Sequence, residues 1–135
     1  MKKNIAFALV LIAFGVFTSC KQDPAKMILG TWKLTNVESS AVMNDIEKQM
    51  FKETNDDIVA KEKYTFSAEK LILSYDKTDT EATWQLSPDA KTLKITMSDG
   101  KEFTYDIIEF TESKLVWSEK TEEKYSITTS LEKVQ

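Results

Sequence analysis

The chain has 135 residues, 18 basic and 22 acidic, and a formal net charge of −4; every basic residue is Lys, and there is neither Arg nor His. This length suits one compact domain, and the acidic balance excludes a nucleic-acid binder that relies on a basic stripe. The missing imidazole excludes Ser/His and Cys/His nucleophile pairs and His metal ligands, and without guanidinium there is no bidentate clamp for phosphate or carboxylate.

Lys2 and Lys3 open the chain, residues 5–17 carry no charge, and Thr18-Ser19-Cys20 follows with small residues before the only cysteine. An apolar run of this length is too short to cross about 30 Å of hydrocarbon, so residues 1–19 read as a cleaved secretion signal. Cys20 has no disulfide partner within the chain. Phe17-Thr18-Ser19-Cys20 resembles the lipobox of bacterial lipoproteins. The resemblance implies that Cys20 becomes an acylated N-terminus bearing palmitate-type chains. The address it implies is the cell envelope, most naturally the outer membrane, with the periplasmic or external face left open. Two or three chains on one residue anchor stably where a single chain is reversible. Cleavage there removes Lys2 and Lys3 and deepens the net charge to −6. Residues 20–26, with Pro24 and no apolar run, read as a lipidated tether, and residues 27–135 as the folded domain.

From Thr31 onward apolar residues recur at every second position, the pattern of half-buried antiparallel strands. Eight runs carry it: Trp32/Leu34, Tyr64/Phe66, Leu71/Leu73/Tyr75, Ala82/Trp84/Leu86, Leu93/Ile95/Met97, Phe103/Tyr105/Ile107, Leu115/Trp117 and Tyr125/Ile127. Directly paired residues face the same side of a sheet, so loop parity tests whether these runs share one inner face. Ser67 to Lys70 gives the even loop that Phe66 opposite Leu71 requires, and Ser98-Asp99-Gly100, with Gly100 left-handed and a bulge, restores register between Met97 and Phe103. At Ile107-Ile108 the alternation breaks, and a bulge there would pass the inner face to Ile108 and Phe110.

One segment departs from the two-residue period. Val42, Met43, Ile46 and Met50 form an apolar stripe on a helical wheel, and Ser39 or Ser40 is a suitable N-cap, so a helix is expected over about residues 41–54. Successive short hairpins favour an up-and-down meander, and closure removes its edges. The predicted fold is all-β: an eight-stranded antiparallel up-and-down barrel with one short helix between the first and second strands.

Gly30-Thr31-Trp32 at the head of the first of eight strands resembles the Gly-x-Trp opening of lipocalins and of lipocalin-like lipoprotein domains, within the wider calycin group. The layout supports it over about residues 27–132, with Thr83-Trp84-Gln85-Leu86, Leu93-Lys94-Ile95-Thr96 and Leu115-Val116-Trp117 in later strands. The resemblance makes Gly30 and Trp32 the fold signature. It also implies that the Trp packs at a closed barrel end under a cationic side chain, here Lys133 or Lys124 in the absence of Arg.

Tyr64, Tyr75, Trp84, Tyr105, Trp117 and Tyr125 all fall on the inferred inner face. Such aromatics either line a cavity for a small hydrophobic ligand or close-pack and fill a barrel of this size. Met43, Ile46 and Met50 form either a flexible lid over the mouth or a cap on a solid end. Asp76, Asp79 and Glu81 match no Ca²⁺-loop spacing and read as a solvated turn, so no metal and no cofactor is expected. Paired acids such as Asp56-Asp57 and Glu122-Glu123 are adjacent in sequence only, and no catalytic residue is assigned. Two functions follow: a membrane-anchored, non-enzymatic barrel holding a small hydrophobic ligand, or an interaction protein of the envelope that uses its outer surface.

Overall fold

A computed structural model describes residues 22–135. Eight strands, β1 (Gly30–Ser39), β2 (Glu62–Phe66), β3 (Leu71–Tyr75), β4 (Thr78–Leu86), β5 (Thr92–Met97), β6 (Glu102–Phe110), β7 (Lys114–Lys120) and β8 (Ser126–Lys133), follow each other around a closed barrel. All pairings are antiparallel and β1 joins β8, so the expected up-and-down barrel is the fold. A one-turn helix, α1 (Pro24–Met27), precedes the barrel, and α2 (Asp45–Lys61) lies between β1 and β2.

The parity argument holds strand by strand. Phe66 faces Leu71, and the Ser67 amide donates to the Lys70 carbonyl at 2.8 Å to close the turn. In the β5–β6 turn the Met97 amide donates to Lys101 O at 2.8 Å, and Gly100 takes φ +89°, the left-handed position that a glycine occupies without steric cost.

Two bulges set which side chains face inward. Between Leu34 and Asn36 the β1–β8 register shifts by one residue. Thr35 absorbs the step and donates its hydroxyl to Ser130 O at 3.0 Å. The shift turns Val37 and Ser39 inward in place of Asn36 and Glu38, which keeps a carboxylate out of the interior. A second bulge falls between Ile107 and Glu109. The sequence reading gave Ile108 to the inner face. Instead Ile107 stays inside opposite Trp117, Ile108 is the extra residue and is 62% exposed, and Phe110 returns inward opposite Leu115.

Helix α2 starts later than expected. Ser39 and Ser40 do not cap it: Ser39 closes β1, and Ser40 extends the ladder by pairing with Ser126 through backbone and side chain. The N-cap is Asn44, which accepts from the Glu47 amide at 2.9 Å while Glu47 accepts from the Asn44 amide at 2.8 Å. That reciprocal capping box satisfies two orphan donors and outcompetes an earlier start. The half-buried residues of α2 are Phe51, Asn55, Ile58 and Val59, a stripe at helical spacing, and Ile58 and Val59 pack against the barrel core.

The barrel is filled at the end where β1 begins. Ile28, Trp32, Leu34, Phe66, Leu71, Leu93, Leu115, Trp117 and Leu131 are all essentially solvent-free and form one cluster. Helix α1 covers this end, so part of the segment read as a tether is ordered: Asp23 accepts from the Ala25 amide at 3.1 Å, Pro24 opens the turn, and Ile28 plugs the barrel. Trp32 donates its indole N–H to Ile28 O at 2.8 Å. Lys133, not Lys124, supplies the cation over Trp32, with Nζ 5.3 Å from the ring and 2.8 Å from Met27 O. Its stem crosses Gly30, where φ is +120° and a Cβ would lie 3.0 Å from Lys133 Cε, so both conformation and space require glycine.

Candidate functional site: the open end of the barrel

At the opposite end, where β1 finishes and β2 begins, α2 crosses the mouth without filling it. A pocket of about 700 Å³ remains between α2 and the inner faces of β3, β4 and β5. Its apolar wall is Ile58, Leu73 and Met97; its hydroxyls come from Thr54, Tyr75, Thr78 and Thr80, and its carboxylates from Asp57 and Glu62. Register explains the lining. Leu73 faces Thr80 and Tyr75 faces Thr78, so two threonines continue inward the alternation that Ala82 begins, and their small side chains leave space.

The aromatic residues expected to line a cavity separate into three places. Trp84 belongs to the filled end, edge-on to Phe66 with centroids 5.5 Å apart, and its indole donates to Ser67 O at 2.8 Å. Tyr64, Trp117 and Tyr105 pack together across the middle, Trp117 lying edge-on to Tyr64 at 5.3 Å and tilted against Tyr105 at 5.1 Å. Tyr75 stands at the mouth, 42% exposed, and donates its hydroxyl to Asp57 on α2. Of the nine residues singled out for ligand contact, Tyr75 is the one that lines this pocket. Tyr125 precedes β8 and sits outside, beside Met43 and Met50.

Neither the lid nor the cap expected of Met43, Ile46 and Met50 is present. Ile46 is 72% and Met50 64% exposed on the outer side of α2, while Met43 precedes the helix and is half-buried. The α2 residues that line the mouth are Thr54, Asp57 and Ile58. Met50→Asp should therefore shift unfolding stability by less than about 0.5 kcal/mol, as for other exposed positions, measured by urea denaturation.

A polar group sits beneath the pocket. Inward parity places Glu62 at the start of β2 and Glu119 near the end of β7, both half-buried. Tyr64 donates its hydroxyl to Glu62. Burial pushes the Tyr64 hydroxyl pKa well up, and the negative charges of Glu62 and Glu119 push it further. Tyr105 is raised for the same reasons, burial first and the two carboxylates after it. Desolvation likewise raises the Glu119 carboxyl above its usual range. At the pocket rim Asp57 is held low by hydrogen bonds from Lys61 and Tyr75, with Lys61 Nζ at 2.6 Å. Among the described residues no group of His, Cys, Asp and Glu is arranged to hold a metal ion.

The sequence matches the family described as "Lipocalin-like domain" over residues 28–117, which is most of the barrel. The chain therefore belongs to the lipocalin-like domain family. No curated protein matches it. Among solved structures it is similar to one described as the LTBP1 LTC4 complex, at 14% identity and a TM-score of 0.46, over 86% of this chain and 72% of that one.

Proposed function

We propose that this lipocalin-like chain is a non-catalytic envelope lipoprotein, acylated on Cys20, whose pocket takes a small, largely apolar molecule at the open end of the barrel. The observation that carries the reading is the asymmetry of the interior. One end is packed solid around Trp32, whereas the other keeps a pocket of about 700 Å³ walled by Ile58, Leu73 and Met97 and edged by hydroxyls. That volume lies within the range of small-molecule sites, and a few polar groups on an apolar wall orient a ligand without dominating its burial. Cys20 lies outside the described residues, and its acylation rests on the Phe17-Thr18-Ser19-Cys20 sequence.

Titration of the purified protein with a panel of alcohols, amines, fatty acids and apolar dyes, followed by calorimetry, should give binding near the micromolar range, about −8 kcal/mol. Absence of binding across the panel would sink the reading. Cys20→Ser should abolish incorporation of labelled fatty acid and release the protein from membranes; equal labelling of the variant would refute the anchor. A second reading draws on a separate observation, the exposed apolar residues Val42, just before α2, and Ile46 and Met50 on its outer side, which suit a surface contact with another envelope component.

A further inference from the structure

We infer that the pocket selects an amphipathic ammonium: an apolar body against Ile58, Leu73 and Met97, with a cationic head drawn toward Glu62 and, beyond it, Glu119. This rests on the small-ligand reading and specifies the class of ligand. The pocket wall carries two carboxylates and no ammonium group. Asp57 is compensated by Lys61 and by the Tyr75 hydroxyl. Glu62 is not compensated: among the described residues it forms no ion pair, and the one hydrogen bond its side chain accepts comes from the neutral Tyr64 hydroxyl. Glu119, on the facing wall, forms neither an ion pair nor a side-chain hydrogen bond among the described residues, although it is half-buried. Among the described residues no lysine lines this pocket.

Carboxylates taken partly out of water without a counter-charge are unfavourable, and a ligand that brings the counter-charge relieves that penalty. An anionic head would meet Glu62, Glu119 and Asp57 with only Lys61 in opposition. A neutral head would find hydroxyls at Thr78, Thr80 and Tyr75 but leave both glutamates uncompensated.

Matched probes test this: octyltrimethylammonium, octanol and octanoate, titrated into the protein by calorimetry at pH 7 and near-physiological salt. The ammonium should bind at least about tenfold more tightly than octanol, a difference of about 1.4 kcal/mol, and octanoate should bind most weakly. Glu62→Gln, which can still accept from Tyr64, should remove most of the ammonium preference while leaving octanol unchanged, and Glu119→Gln should reduce it in the same direction. Glu112→Gln, which removes a carboxylate at the far, filled end, should leave all three affinities unchanged; this separates the pocket from general attraction to an acidic protein. Circular dichroism and urea midpoints of each variant establish that it is folded. Equal binding of octanol and the ammonium, tighter binding of octanoate, or a preference that survives both glutamate substitutions would overturn the inference while leaving the small-ligand reading intact. Failure of all three probes and of their longer-chain homologues would overturn both.

Discussion

Trp32→Ala should lower unfolding stability by roughly 3–5 kcal/mol, the range for deleting a large aromatic side chain from a packed core. The side chain has no solvent exposure, packs 6.3 Å from Phe110 and holds α1 in place through its hydrogen bond to Ile28 O. Its loss opens a cavity among residues that cannot collapse into it, because Leu34, Leu131 and Leu115 are pinned by two consecutive strand pairings. It also leaves Lys133 without the ring beneath its ammonium, so the C-terminal end of β8 and α1 should loosen together. With a urea m-value of about 2 kcal/mol per molar, the midpoint should move down by roughly 1.5–2.5 M. A shift below about 0.5 M would show that the filled end does not hold the barrel together.

Thr80→Trp should have the opposite profile, leaving stability within about 0.5 kcal/mol of the parent and weakening ligand binding by about 100-fold, or about 2.7 kcal/mol. Thr80 is exposed, lines the pocket and pairs with the inward-facing Leu73. An indole there occupies space that is now empty instead of displacing packed neighbours, and aromatic residues suit strands. Calorimetry with octyltrimethylammonium and a urea melt on the same preparation measure both halves of the expectation. Undiminished binding by a folded variant would move the ligand site away from the mouth.

The two-residue period made the barrel legible because it survives wherever one strand face is buried. Parity of the Ser67–Lys70 and Ser98–Gly100 loops was enough to join neighbouring strands in the correct register. It failed at bulges, where one residue leaves the ladder: Ile108 is as apolar as Ile107, and only the pairing with Trp117 decides between them. The helix was legible as an insertion but not in its phase. Val42, Met43, Ile46 and Met50 form a convincing stripe, yet the Asn44–Glu47 capping box starts the helix at Asp45 and the packed stripe falls on Phe51, Asn55, Ile58 and Val59. The pocket was the least legible feature. Attention to large aromatics led to the part of the interior they fill, whereas the open part is defined by side chains too small to fill it, Thr78 and Thr80, and by Glu62 at a strand start. The signal was present in the sequence, since Thr78 and Thr80 continue the period of Ala82, Trp84 and Leu86.

Helix α1 and the pocket lie at opposite ends of β1, whose ten residues span about 33 Å of strand, or about 25 Å along the axis at a tilt near 40°. Cys20 stands only two residues before Gln22 and three before Asp23, which caps α1. Under the acylation proposed for that cysteine, the filled end rests against the lipid surface like the base of a cup and the rim is held a bilayer leaflet's thickness or more above it. Cargo would then be loaded and surrendered on the aqueous side, by collision with dissolved molecules or with a partner facing the membrane, and not by extraction from the lipids underneath.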